Sequence, residues 1–273
     1  MNAALARVET HRVLRERWFT GAVVLAVGLS LFFVVIGSRE SALVGFTGLG
    51  RVLQGVVQAS LLFVPALSLL STTQVVPTSR QQGVLEWILA QPISRRACFH
   101  SLFLPRFAAM AGPLVGATAL LGAIAWVWGQ PVPLDQLLQY LGMLVGQALC
   151  FTGIGMLIGV WSRTPEQALL HGLAAWMAAV ALVDFAVLGI LLRWSLPPYA
   201  VFVLAGLNPV QAGRIGMLAS VDPELGVLGP VGTWMNLTLG SQLTVWYGLV
   251  WPIVIGLAAL VLARRAFERR DAL

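Results

Sequence analysis

The sequence contains no lysine and few charged residues of any kind. All 17 basic residues are arginine, and charged residues make up only 10% of the 273 positions. The missing lysine excludes a Walker A phosphate loop and any Schiff-base lysine. The chain is 58% hydrophobic with a mean hydropathy of +0.85, whereas soluble domains carry roughly 25% charged residues. This composition excludes an ordinary soluble enzyme and predicts an integral membrane protein with several spans.

Residues that usually bind metals are also scarce. Cys98 and Cys150 lie in separate segments without a Cys-x-x-Cys pattern, and none of the three histidines has the i, i+4 spacing of a helical metal pair. We therefore expect no metal or cofactor bound by this chain. The scattered methionines could line a copper path, but adaptable packing within the spans is the interpretation we favour.

Six apolar segments are long enough to cross a bilayer, whose core takes about 20 helical residues. The predicted spans are Trp18–Ile36, Val52–Val76, Phe107–Trp128, Leu137–Trp161, Ala168–Leu192 and Ser241–Leu262. The apolar run from Tyr199 to Leu207 is too short for a seventh span, so we expect a re-entrant or interfacial helix there. The sequence therefore predicts an all-α membrane protein with six transmembrane helices.

The arginines indicate how these spans are oriented. With the amino terminus in the cytoplasm, 13 arginines fall on the inner side of the membrane and four on the outer side. This is a strong positive-inside bias, and it predicts that both termini are cytoplasmic. The net charge of +6 is then topological charge beside anionic lipid, so we expect the bilayer as a partner and no nucleic acid.

Small residues in the spans suggest close contacts between helices. The spacing G-x-x-x-G occurs three times, at Gly112/Gly116, Gly142/Gly146 and Gly155/Gly159. Glycines at this spacing let helix backbones approach closely. We expect the two pairs in the fourth span to serve packing, and we regard a substrate conduit as the weaker alternative.

The stretch between the second and third spans, residues 77–96, predicts a short amphipathic helix of about two turns. Its apolar residues recur at helical spacing between Gly83, which can break the preceding turn, and Pro92, which ends the helix. One interpretation is an interfacial helix that lies on lipid. The other is a helix that inserts into a groove of a partner protein.

This stretch resembles the docking segment of ABC-2 type transporter permeases. Gly83-Val-Leu-Glu86, followed by Leu89-Ala-Gln-Pro92-Ile-Ser94-Arg95, is similar to the family pattern G-T-L-E … L-L-S-x-P-V-S-R. The resemblance implies one domain over residues 1–273, with an elbow helix at residues 1–17 and a coupling helix that docks on a separate cytosolic ATPase. The implied coupling residues are Gln82, Gly83, Leu85, Glu86, Trp87, Ile88, Leu89, Pro92, Ser94 and Arg95.

Within this family, the sequence is most similar to membrane subunits that serve the maturation of nitrous oxide reductase, a periplasmic multicopper enzyme. The similar residues are Gly45-Phe46-Thr47, Asn208-Pro209 with Arg214, and the basic segment 264–270. The likeness implies a permease of the bacterial inner membrane that is not itself an enzyme. Two copies would act with two ATPase subunits, which hold the ATP and Mg²⁺. Alternatives are a general exporter of an ion, lipid or drug, and a non-transporting mechanotransmitter that acts on a periplasmic partner.

The outer segment, residues 193–240, is long for a connection and partly apolar. These features predict a structured cap, although simple connection is an equal alternative. Within it, Asn208, Pro209 and Arg214 are candidate contacts for a periplasmic accessory protein.

Asp184 is the acidic residue that lies well inside a predicted span. A charge there costs about 2.5–3.5 kcal/mol on insertion scales, so it marks a translocation path or pairs with a nearby cation such as Arg193. A membrane-embedded enzyme would need several clustered polar residues in the spans. Because Asp184 stands nearly alone, that class of function is disfavoured.

Overall fold

The fold is a bundle of α-helices, seen in a computed structural model. The structure describes residues 3–44, 48–127, 134–182, 185, 197–222 and 224–269, and these contain no β-strand. The helices are α1 (Ala3–Arg15), α2 (Arg17–Val44), α3 (Gly48–Thr72), α4 (Val75–Gln81), α5 (Val84–Leu89), α6 (Arg95–Val127), α7 (Leu134–Trp161), α8 (Pro165–Met177), α9 (Pro198–Gly206), α10 (Pro209–Val221), α11 (Gly229–Thr238) and α12 (Gly240–Arg269). A π-helical turn, Ala178–Leu182, extends α8. The predicted all-α class is confirmed.

Helix α7 lies at the centre of the bundle, where α3, α6, α8, α10 and α12 pack against it. Glycines permit these contacts. A Cβ added to Gly159 would come within 2.5 Å of the Thr73 carbonyl oxygen, and one added to Gly142 within 2.8 Å of Leu249 Cδ1. Real Cβ atoms do not approach a backbone oxygen so closely, so Gly159 needs glycine, whereas at Gly142 the flexible end of the Leu249 side chain would have to shift. The predicted packing role of the fourth-span glycines is confirmed.

Four helical segments of the described chain are long and apolar enough to cross a membrane. They are Gly55–Gln81, Arg95–Val127, Leu134–Trp161 and Gly240–Arg269. A fifth arises if α9 and α10 count together as one broken span. The apolar stretch that α2 contributes, Arg17–Phe32, is shorter than these candidate spans. The predicted number of six spans therefore stays a prediction.

Helix α6 is longer than the third predicted span. It begins at Arg95, whereas the predicted span begins at Phe107. The Ser94 hydroxyl oxygen accepts the Ala97 backbone N–H at 3.2 Å and so caps the first turn. Hydropathy missed this part of the helix because its charges, including Arg106, interrupt the apolar run.

A sharp bend follows α9, in the segment where a short helix was expected. Helices α9 and α10 meet at 119°, a geometry found in re-entrant loops and broken spans. Asn208 forms the corner: its Oδ1 accepts the Val210 N–H at 2.9 Å, and its Nδ2 donates to the Ala179 carbonyl at 2.5 Å. The bend is thereby attached to the π-helical turn that extends α8.

Candidate functional site

The short helix predicted between the second and third spans is present as α5. Gly83 precedes it with φ of +68°, in the left-handed region that favours glycine. This conformation turns the chain between α4 and α5, and the Trp87 N–H then donates to the Gly83 carbonyl at 3.1 Å. Helix α5 ends at Leu89, three residues before Pro92. The local sequence therefore sets both ends of the helix.

Two side chains anchor α5 to the rest of the protein. Leu85 is 2% exposed and Ile88 is 4% exposed, and their spacing of three places them on the same face. They enter an apolar cluster that also contains Val75, Val76, Cys98, Phe99, Leu102, Phe103, Met156, Val160, Ala263 and Phe267. This cluster joins α5 to α4, α6, α7 and α12.

The opposite side of α5 is left uncovered. Its central residue is Trp87, whose side chain is 68% exposed. The surrounding exposed residues are Gln82, Glu86, Gln91 and Pro92. We call these five residues the α5 outer face. An exposed indole among polar groups, on a helix that buries Leu85 and Ile88 on its other side, is typical of an anchor for a partner protein.

The flanks of α5 are fixed by arginines. Arg80 donates to the Val160 carbonyl at the end of α7 at 3.4 Å, and Arg95 donates to the Glu268 carbonyl at the end of α12 at 3.0 Å. Arg96 Nε donates to the Glu268 carboxylate at 2.9 Å. Arginines that the sequence assigned to one side of the membrane thus gather at one end of the bundle.

A buried ion-pair network attaches α1 to the same bundle, and sequence reasoning missed it. Arg106 on α6 is 3% exposed, and its Nη1 lies 3.2 Å from Glu9 Oε2 on α1. Its Nη2 lies 3.5 Å from Glu16 Oε1, and its Nε donates to the Ser71 carbonyl at 3.2 Å. The only sequence signal is an arginine close to an apolar run. Which acids would neutralise it depends on a contact across about ninety residues.

Comparisons with known proteins identify the family. A model described as ABC-2 family transporter protein matches residues 3–272. The chain belongs to the ABC-2 transporter family. A protein of Pseudomonas aeruginosa named "Probable ABC transporter permease protein NosY" is 27% identical over 97% of both chains. One of the same name from Stutzerimonas stutzeri is 23% identical, again over 97% of both. The chain is therefore a multi-pass membrane protein of the permease type, as the sequence resemblance implied.

The coupling residues predicted for this ABC-2 protein fall into two groups. Gln82, Glu86, Trp87, Pro92 and Ser94 are exposed. Gly83, Leu85, Ile88, Leu89 and Arg95 instead form the turn, the apolar anchor and the flank of α5. A partner that docks here would touch the first group, and the second would hold that group in place.

Two of the three candidate contacts on the outer segment bond within the chain. Asn208 is 8% exposed, and at the corner before α10 its amide accepts from Val210 and donates to Ala179. The Pro209 carbonyl accepts a 2.5 Å hydrogen bond from Gln147, a fully buried residue of α7. Arg214 is half-buried on α10. Asn208 thus holds the bend to the π-helical turn, and Pro209 holds it to α7. Contact of these outer residues with a periplasmic partner stays a prediction.

Several predicted features lie outside the described residues. They are Asp184, Arg193, Gly45-Phe46-Thr47 and Arg270. Within the described part of the chain, no group of three or more His, Cys, Asp or Glu side chains could hold a metal ion.

Proposed function

We propose that this protein is the membrane subunit of an ABC transporter of the bacterial inner membrane, and that α5 docks on a separate cytosolic ATPase. The observation that carries the proposal is the α5 outer face. An exposed tryptophan lies on a helix that is anchored from behind by Leu85 and Ile88. Membership of the ABC-2 family supports an ATPase as the partner, because a permease of this kind acts with one.

The distribution of arginines supports a cytoplasmic position for α5. The end of the bundle that carries α5 also carries Arg80, Arg95 and Arg96, together with the basic end of α12. Under the positive-inside rule, this end faces the cytoplasm. On this proposal, both termini are cytoplasmic and α1 is the elbow helix.

We further propose that two copies of the chain act with two ATPase subunits in an export cycle. Closure of the ATPase dimer around ATP and Mg²⁺ would push on the α5 outer face. That push would reach α4, α6, α7 and α12 through the apolar cluster around Leu85 and Ile88. Rigid-body movement of packed helices is an established means of switching between two states.

The docking proposal is tested by replacing the exposed indole. Trp87→Ala should weaken binding of the purified cognate ATPase to the chain in nanodiscs by at least about tenfold, because truncation of a central aromatic anchor commonly costs 2 kcal/mol or more. Trp126→Ala is the matched control. Trp126 is 76% exposed and lies near the other end of α6. ATPase stimulation in liposomes should follow the same order.

Equal ATPase affinity for the Trp87→Ala variant and the wild type would contradict docking. This result would favour the alternative interpretation, in which α5 is an interfacial helix that lies on lipid. If both tryptophan variants lost the ATPase equally, the effect would be on folding or insertion instead, and the docking proposal would fail.

For the substrate, we propose an export step that serves the maturation of a periplasmic copper enzyme, nitrous oxide reductase. This rests on the sequence resemblance and on the likeness to two proteins named NosY. Deletion of the gene should leave nitrous oxide reductase in the periplasm with depleted copper sites, measurable by its visible absorption. An enzyme with normal copper content would favour a general exporter of the same family.

A further inference from the structure

A cleft of about 460 Å³, lined by both charged and apolar side chains, opens between two helix junctions. One wall is the α1–α2 junction, with Arg12, Glu16, Arg17 and Trp18. The other wall is the α3–α4 junction, where Gln74 and Thr78 present an amide and a hydroxyl. Its volume is within the range of small-ligand pockets, roughly 300–1,000 Å³.

The net charge of this cleft is positive because the carboxylate in its lining, Glu16, is already paired with arginines. Glu16 accepts a 2.5 Å hydrogen bond from Trp18 Nε1 and lies 3.5 Å from Arg106 Nη2 and 3.7 Å from Arg12 Nε. Glu9 is likewise shared between Arg106 and Arg12. Three arginines, Arg12, Arg17 and Arg106, thus face two carboxylates. Among the described residues, the exposed Arg17 forms no ion pair with an acidic side chain.

The surroundings of the cleft are those of a membrane interface. Leu70 on α3 lines the cleft and is 46% exposed, and Val75 on α4 lines it as well, so apolar surface adjoins the charged side chains. Trp18 lies at the start of α2, and tryptophan side chains prefer the headgroup level of a bilayer. A soluble anion would leave this apolar surface exposed, whereas the acyl chains of a phospholipid would cover it.

We propose that this cleft binds the headgroup of an anionic phospholipid. Arg17 and Arg12 contact the phosphate, and Thr78 and Gln74 donate hydrogen bonds to the headgroup. The bound lipid connects the α1–α2 junction to the α3–α4 junction, directly before the α4–α5 turn. This site is independent of the transported substrate and of ATPase docking.

The test measures phosphatidylglycerol binding to the full chain. The protein is purified in detergent, titrated with phosphatidylglycerol or phosphatidylcholine, and examined by native mass spectrometry. Arg17→Gln should weaken phosphatidylglycerol binding about fivefold, the value expected for one basic residue near an anionic lipid surface. Thr78→Val should weaken it as well. Arg265→Gln is the matched control, because Arg265 is an exposed arginine outside the cleft and its loss changes the net charge equally.

Hydrogen exchange of the α1–α2 junction in nanodiscs gives a second measurement that does not depend on activity. Phosphatidylglycerol should slow exchange there in the wild type and not in the Arg17→Gln variant. Three results would overturn the proposal. One is an equal loss of lipid in the Arg17 and Arg265 variants, which indicates general surface charge. Another is equal binding of the two lipids. The third is full displacement of phosphatidylglycerol by inorganic phosphate, which indicates a site for a soluble anion.

Discussion

The buried network around Arg106 makes a prediction whose size follows from the structure. Replacing Glu9 with alanine removes the carboxylate 3.2 Å from Arg106 Nη1. The guanidinium, which is 3% exposed, would keep Glu16 at 3.5 Å and the Ser71 and Leu102 carbonyls at 3.2 Å each. The substitution thus weakens the compensation of a buried charge without abolishing it. We expect the attachment of α1 to α6 to weaken.

The magnitude depends on what replaces the carboxylate. Breaking a buried ion pair costs about 3–5 kcal/mol of stability, and the remaining partners place Glu9→Ala near 3 kcal/mol. Glu9→Gln retains an oxygen that can accept from Arg106, so it should cost about 1 kcal/mol, the difference between a charged and a neutral hydrogen bond. The graded series separates loss of charge from loss of the hydrogen bond.

Glu268→Ala is the control variant, because it removes the carboxylate of an ion pair whose arginine is exposed. Glu268 pairs with Arg96, whose side chain is 70% exposed, and exposed pairs contribute at most about 1 kcal/mol. Stability is measured as the midpoint of unfolding in mixed SDS micelles, followed by tryptophan fluorescence. Trp18 reports on α1 because its indole donates to Glu16 within the network. Protease sensitivity of α1 gives a local measurement.

Equal destabilisation by Glu9→Ala and Glu268→Ala would refute the reasoning, because burial would then make no difference. Salt gives a further check. Added sodium chloride should reduce the effect of the exposed pair and leave that of the buried network nearly unchanged.

Two substitutions of glycine test the packing and the turn. Gly159→Ala places a methyl group 2.5 Å from the Thr73 carbonyl and should lower the free energy of unfolding by about 1–3 kcal/mol. Gly116→Ala has no atom within 4 Å of the added methyl group. It should be neutral or slightly stabilising in the same unfolding assay. The methyl group of Gly83→Ala meets no atom either, but the φ of +68° at this position makes a side chain cost about 1–2 kcal/mol of stability. The affinity for the ATPase should fall in parallel. Unchanged affinity would argue against the turn as the element that orients α5.

The sequence predicted the elements whose signal is local. Helix α7 was expected over Leu137–Trp161 and is found over Leu134–Trp161, because a long apolar run specifies a buried helix by itself. The α5 helix was expected from the positions of Gly83 and Pro92, and these residues do bound it. Both predictions depended on residues that are neighbours in the chain.

Features that depend on distant residues were not predictable from the sequence. A hydropathy count treats Arg106 as the polar boundary of the third span, whereas Glu9 of α1 and Glu16 of the α1–α2 junction neutralise it inside the protein. The G-x-x-x-G spacing occurs at Gly159 and at Gly116 alike. A Cβ added to Gly159 would meet the backbone of the α3–α4 junction, whereas one added to Gly116 would meet no atom within 4 Å, and the pattern itself does not distinguish the two.

The way α5 is held limits where a transport movement can occur. Its flanks are bonded to the ends of α7 and α12 through Arg80 and Arg95, and its apolar side enters the cluster shared with both helices. We therefore expect a push on Trp87 to move α5 together with the ends of α7 and α12 that carry these bonds. The described chain has weaker points elsewhere: the break between α3 and α4, the π-helical turn Ala178–Leu182 and the 119° bend after α9. Irregular helical segments of this kind are common at functional sites. We therefore expect cross-links across α4, α5 and α6 to preserve coupling, and cross-links across the bend to block it.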